Sequence, residues 1–185
     1  AVDVATEQGQ ADFAADAIKV KNSNADAIFV YLNEEESARF LRAAKQQGIT
    51  KPTVGETTLL GAKVIELAGD AANGVKGHVG LSIDAPIPAF QEFGKKFQAK
   101  YNSPPDHNGM KGYMAVYMVK WATEKQKKFD KKGVADTLRG ATIKTSDEPG
   151  ILIETTIEKN GDLDRESFRA EVKDGKQVIT ATLPK

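Results

Sequence analysis

The chain has 185 residues, with 26 Lys and Arg balanced by 26 Asp and Glu, so its formal net charge is zero. That balance offers no basic face for nucleic acid and no pull toward an anionic membrane. The absence of cysteine excludes disulfides, thiolate catalysis and Cys-ligated zinc, and no apolar run approaches the ~20 residues of a membrane span. In chain order, residues 1–5 (AVDVA) alternate like a short strand, and a strand at the first residue is expected of a processed chain or a fragment. Residues 6–11 are polar and irregular. Asp12 is placed to cap a helix reaching about Asn22, with Phe13, Ala14, Ala17, Ile18 and Lys21 on one side. Residues 27–31 (AIFVY) form a nearly unbroken apolar run, which suits a parallel strand covered on both faces. The run stops at Leu32-Asn33-Glu34, and a helical spacing follows through Ala38, Leu41, Ala44 and Lys45 to a capping Gly48.

A second short strand, 53–55, also breaks into polar residues, Glu56-Thr57-Thr58, before a short helix at 61–68 closed by Gly69. Residues 74–81 read as a glycine-rich strand and 84–88 as a loop. A helix at 89–101 carries Phe90, Phe93, Phe97 and Tyr101 on one stripe, and Pro104-Pro105 breaks it. A long helix at 108–126 presents Tyr113, Val116, Tyr117 and Trp121 on its apolar side. A basic connection and a short helix at 133–139 follow. From Ile151 the period changes to two, giving strands at 151–157, 167–173 and 177–183, with the hairpin pairs Asn160-Gly161 and Asp174-Gly175 between them. The order points to an α/β fold with a mainly parallel sheet and antiparallel C-terminal strands.

Two successive strands ending in polar loops that feed helices mark one sheet edge, where open α/β sheets bind small ligands. Asn33, Glu34, Glu56 and Thr57 are the candidates there. Each has a plainer reading. Glu34-Glu35-Glu36 favours a helix N-terminus by its charge, and Thr57 or Thr58 could cap the following helix. Asp106-His107-Asn108 opens the long helix, where Asp106 or Asn108 is a natural cap. His78 is the only other histidine, and no zinc spacing exists. Residues 160–164 lack the ligand series of a calcium loop. Gly74, Gly77 and Gly80 form no dinucleotide or P-loop fingerprint, which removes the case for a Rossmann-type oxidoreductase. No catalytic set, metal site or cofactor is assigned.

The phrases ADAIFVYLNEEESARFLRAAKQQGI, TVGETTLLGAKVIELAGDAANGVKG, FGKKFQAKYNSPPDHNGMKGYMAVY and EKNGDLDRESFRAEVKDGK, in this order and spacing, resemble the periplasmic solute-binding proteins of ABC transporters for branched-chain amino acids. The resemblance covers essentially the whole chain. It implies a type I fold of two three-layer α/β/α lobes, here incomplete: 1–105 and 145–185 would belong to the second lobe and the helices of 106–144 to the first. It also implies no enzyme but an exported, periplasmic receptor. Such a receptor closes by a hinge on a small amino-acid-like or aromatic carboxylate ligand and presents it to a permease at the inner membrane. Relatives draw a pocket side chain from the turn at Asn33 and Glu34, and another from the helix start at His107 and Asn108. Their ammonium-binding carboxylate falls at Thr57, with Glu56 one residue earlier. The first-lobe Ser and Thr residues that hold a ligand carboxylate have no counterpart in this chain, so it supplies at most half a cleft. Helix 108–126, lacking its lobe, is expected to have its apolar side covered by self-association with a second copy of the chain or by a rearranged position. The rival reading is a cytoplasmic small-molecule-sensing domain of a regulator, which needs a DNA-binding segment or a regulatory partner, neither visible in this sequence.

Overall fold

The computed structural model describes residues 1–185. Its helices are α1 (Ala14–Asn22), α2 (Glu34–Gln46), α3 (Ala62–Ala68), α4 (Pro88–Tyr101), α5 (His107–Gln126) and α6 (Lys131–Leu138). Its strands are β1 (Ile28–Val30), β2 (Thr53–Gly55), β3 (Lys76–Val79), β4 (Thr142–Ile143), β5 (Thr155–Ile157), β6 (Leu163–Asp164), β7 (Ser167–Lys173) and β8 (Lys176–Leu183). The chain divides into two compact units, 1–79 with 168–181, and 80–167 with 182–185. The division lies at 79/80, ahead of the 105/106 boundary that the resemblance implies.

The first unit carries a five-stranded mixed sheet in the order β1-β2-β3-β7-β8. β1, β2 and β3 run parallel, with Val30 opposite Gly55 and Gly55 opposite Gly77. β7 returns antiparallel on β3, with Phe168 opposite Val79. The turn into β8 uses Asp174 and Gly175, both at positive φ (49° and 70°), the geometry of a two-residue hairpin. Ile28 and Val30 are buried while Phe29 is 68 % exposed. Strand side chains alternate between faces, so one face of the sheet packs against the helices and the other does not. The covered face meets Phe40, Leu41 and Ala44 of α2 and Val64, Ile65 and Ala68 of α3 in one core. Residues 27–31, expected to be covered on both faces, are buried on one face only. Phe13, just ahead of α1, and Ala17 and Val20 within it turn inward, whereas Ile18 is exposed, so the buried side keeps Phe13 and Ala17 of the sequence reading and takes Val20 in place of Ile18. Residues 1–5 form no strand, because an alternating pattern becomes a strand only when a neighbour supplies hydrogen bonds.

Two glycines set the sheet spacing. A Cβ on Gly77 would stand 2.4 Å from the Gly55 carbonyl oxygen, and one on Gly55 would stand 2.7 Å from the Val30 oxygen. Any side chain at either position would force adjacent strands apart.

The second unit packs α4, α5 and α6 with the antiparallel strands β4-β5-β6. α5 buries Met110, Met114, Met118 and Ala122. The expected aromatic side is instead partly solvent-facing: Val116 is 67 % exposed and Tyr113 is half-exposed. Those rings form an outer ladder, with Tyr113 4.8 Å from Phe93 and 4.7 Å from Tyr117 between centroids. Both stripes have helical spacing, and the methionines take the core because they fill irregular gaps without a polar atom to satisfy. The strand expected at 151–157 is confined to Thr155–Ile157, although Ile151, Leu152 and Ile153 are buried. The Asn160-Gly161 turn joins it to β6, with Glu158 N donating to the Asp162 carbonyl at 2.8 Å, whereas 167–173 leaves to pair with β3.

Candidate functional site

The carboxyl ends of β1 and β2 lie side by side in parallel register. Residues 31–34 and 56–58, which leave those ends, therefore occupy one edge of the sheet. Asn33, Glu34, Glu56 and Thr57 lie on the two loops that leave these strand ends. His107 and Asn108 belong to the second unit.

The first loop is tied from below. Ser37, fully buried, donates its hydroxyl to the Leu32 carbonyl at 3.2 Å. Asn33 is the N-cap of α2 by backbone geometry but makes no side-chain capping bond, and it is exposed. Glu34 is half-exposed on the first turn. Glu36 has a different task. It is buried, and Gly9 N donates to its Oε1 at 2.7 Å. This bond, helped by the nearby Arg39 charge, holds its carboxyl below the usual carboxylate range. Arg39 Nη1 also donates to the Gln10 carbonyl at 2.8 Å, so α2 pins the segment preceding α1. The sequence grouped Glu36 with its neighbours as a dipole-favouring run, but its burial at 6 % sets it apart.

The second loop folds on itself. Glu56 Oε1 accepts from Thr58 N at 2.9 Å. Thr57 is buried, and its hydroxyl points to the His78 carbonyl on β3 at 3.5 Å. The N-cap of α3 is Gly61, with no side-chain capping bond, so neither threonine caps that helix. The acid of this loop is thus turned back onto the backbone and the threonine at the expected carboxylate position is turned inward. At the start of α5 the capping reading holds for Asp106, whose Oδ1 accepts from Gly109 N at 2.7 Å. His107 is buried on the first turn, and Asn108 is exposed.

No three His, Cys, Asp or Glu side chains come together in a metal-holding group. The edge is a row of short polar side chains and main-chain groups on rigid strand ends. That arrangement can orient a small polar molecule by hydrogen bonds and contains no nucleophile paired with a base.

Solved structures carry the same fold. The leucine-binding protein LivK of Thermotoga maritima matches at a TM-score of 0.82 and 23 % identity over 97 % of this chain and 50 % of its own. A solute-binding protein of an ABC transporter from Rhodopseudomonas palustris, in complex with 3,4-dihydroxybenzoic acid, matches at 0.76 and 21 % over 94 % of this chain and 49 % of its own. LivJ of Streptococcus pneumoniae, in complex with isoleucine, matches at 0.74 and 22 % over 96 % and 49 %. The chain thus spans about half the length of these structures. Comparison with curated protein sequences gives no match. The family model described as periplasmic binding protein matches residues 1–177, nearly the whole sequence, and the chain belongs to that family.

Proposed function

We propose that this chain supplies one side of the ligand cleft of an exported solute-binding receptor, which closes by a hinge around a small carboxylate and delivers it to an ABC permease. Asn33, Glu34, Glu56 and Thr57 are its candidate contacts in the first unit; His107 and Asn108, at the start of α5, are the candidates in the second, taken by itself. The receptor binds and releases its ligand unchanged, in the periplasm. The observation that carries this reading is the placement of both polar loops on one edge, at the carboxyl ends of adjacent parallel strands. It is joined by membership of a family of binding proteins.

The ligand class follows from the second loop. A buried ammonium needs a charged partner, and leaving it unpaired costs several kcal/mol. Thr57, at the position where amino-acid-binding relatives are expected to carry a carboxylate, has no charge and faces the His78 carbonyl, and Glu56 is tied back to its own loop through one oxygen by Thr58 N. A carboxylate without an essential amine, such as an aromatic acid, therefore fits this edge better than a branched-chain amino acid. Structures of this fold are known with ligands of both kinds, 3,4-dihydroxybenzoic acid and isoleucine.

Calorimetry on a full-length receptor containing this chain, with leucine, isoleucine, benzoate and 3,4-dihydroxybenzoate, tests the reading. An aromatic acid is expected to bind at least ~10-fold more tightly than either amino acid, a difference of about 1.4 kcal/mol. The 185-residue chain alone is expected to bind the same acid far more weakly. Equal affinities for the chain and the full-length receptor would remove the half-cleft reading, and tighter binding of leucine would remove the ligand class.

A further inference from the structure

The chain leaves the first unit after Val79 and returns to it at Phe168, and these two residues are register partners in the sheet. Gly80 and Ser167 are therefore the first residues beyond it on these two crossings, at the carboxyl end of β3. Arg165 stands in the second crossing, in the short stretch between β6 and β7. Its Nη2 lies 3.9 Å from where a Cβ on Gly80 would stand, so the guanidinium sits against the main chain that leaves β3. Arg165 is mostly buried. It donates no hydrogen bond and forms no ion pair, and its sequence neighbours Asp164 and Glu166 do not reach it. Burial alone, with no opposing charge, lowers its pKa from the ordinary arginine value. The other arginines differ. Arg39, Arg42 and Arg139 each reach a carboxylate or a main-chain carbonyl, and Arg169 is exposed. The cation–π contacts belong to Lys100 and Lys125. Arg165 is the arginine held from water without a partner.

We propose that Arg165 takes a carboxylate of the ligand through the fork of its guanidinium. This rests on the receptor reading above and deepens it by naming the group that meets the ligand's charge. Keeping a cation out of water without a partner lowers stability, and no group of the fold offsets that cost here. A carboxylate does, because its two oxygens accept two parallel bonds from the planar guanidinium. The placement agrees. β3 runs parallel to β2, so its carboxyl end belongs to the same sheet edge as the ends of β1 and β2, where open α/β sheets receive ligands. A cation at this end suits an acid without an amine and opposes an ammonium. A purely structural role lacks its usual signs, since Arg165 has neither an acid to pair with nor a ring to stack on.

The test uses calorimetry and thermal melts on a full-length receptor containing this chain, with benzoate and its neutral counterpart benzamide as probes. Arg165→Met keeps an apolar stem and removes the charge. It is expected to weaken benzoate binding about 10- to 100-fold, the range for a hydrogen bond to a charged group, and to change benzamide binding by less than about twofold. Arg165→Lys keeps the charge and loses the fork, and its benzoate affinity is expected to fall between the two. Without ligand, Arg165→Met is expected to melt at least ~1 °C above the wild type, because an unpaired buried charge is gone. A structural arginine would give the opposite sign. Unchanged benzoate affinity in Arg165→Met would overturn the proposal, as would an equal loss for benzamide or a lower melting temperature without ligand. A wild-type receptor that binds no carboxylate removes the ligand class and this anchor together. Benzoate held tightly by the wild type and Arg165→Met alike removes the anchor alone.

Discussion

The ring of Tyr117 lies directly over Gly150: a Cβ on that glycine would stand 2.0 Å from the Tyr117 Cγ and 2.2 Å from a Cδ. Gly150 is buried and follows Glu148 in the bend before Ile151. The contact joins α5 to the segment that enters β5, and only hydrogen fits between them. Gly150→Ala is expected to cost about 1–3 kcal/mol by overpacking, a drop in Tm of roughly 2–10 °C for a chain of this size. Gly112 in α5 is the control, because a Cβ there meets nothing within 4 Å. Gly112→Ala is expected to raise stability by about 0.5–1 kcal/mol through helix propensity alone. Thermal melts of both variants decide it, and a stable Gly150→Ala protein would show that Tyr117 is free to move aside.

Lys120 and Glu148 form the one ion pair in which a deeply buried carboxylate is held. Glu148 is 4 % exposed, Lys120 Nζ donates to its Oε2 at 2.5 Å, and Gly150 N donates to its Oε1 at 3.1 Å. The Lys120 bond chiefly, and the Gly150 bond after burial is offset, hold the Glu148 carboxyl below its ordinary range. A depressed folded pKa adds stability that is present above the unfolded value, near ~4.3, and is lost as pH falls through the folded value. Lys120→Met leaves the carboxylate buried without its cation and is expected to lower Tm by a few degrees at pH 7. Adding Glu148→Gln is expected to restore part of that loss and to flatten the acid limb of a Tm-against-pH curve. An additive double variant would mean that the pair is uncoupled.

Gly77→Ala is expected to be the most damaging of these glycine changes. Its Cβ would meet a main-chain oxygen, that of Gly55, at 2.4 Å. A carbonyl fixed between paired strands cannot rotate away as a side chain can. The strain falls on the β2–β3 pairing that sets the loop carrying Glu56 and Thr57. A loss of at least ~2 kcal/mol, together with faster amide exchange along 54–57, is the expected pair of results. Normal exchange there with unchanged stability would contradict the tight-spacing account.

What the sequence revealed depended on whether a signal was local. The run from β1 through α3 was legible almost to the residue, because Asn33, Gly48 and Gly69 act at the ends they mark: Gly48 and Gly69 both take positive φ, 66° and 56°. The edge that gathers Asn33 and Thr57 was legible for the same reason. The failures all involve a choice of partner. Residues 1–5 have a strand's pattern without a strand beside them. α5 offers two stripes of equal spacing, and only tertiary packing selects Met110, Met114 and Met118 over the aromatic side. Gly77 was dismissed because it belongs to no nucleotide fingerprint. Its role, close approach of one strand to the next, leaves no trace in spacing. The hydrogen bonds that turn Glu56 onto Thr58 and Glu36 onto Gly9 are also partner choices, and they separate a structural acid from a pocket acid.

That separation yields the last prediction, on Glu56. In a full-length receptor, Glu56→Gln keeps an oxygen able to accept from Thr58 N and removes only the charge. Affinity for a carboxylate ligand without an amine is then expected to change by less than about twofold, under ~0.4 kcal/mol. Glu56→Ala removes the acceptor as well and is expected to lower stability by about 0.5–1.5 kcal/mol with a similarly small effect on that affinity. The amino-acid reading gives the opposite result: leucine would bind tightly, and Glu56→Gln would weaken it about 100-fold, near 2.7 kcal/mol, because a buried ammonium would lose its partner. Thr57→Asp separates the two further. It restores a charge at the position where amino-acid binders carry one, but directs it at the His78 carbonyl, 3.5 Å from the present hydroxyl. The expected outcome is a protein of lower Tm in which millimolar leucine restores no more stability than benzoate does, because the new carboxylate is turned inward with the present hydroxyl. Selective recovery by leucine would show that position 57 faces the ligand and would restore the amino-acid reading.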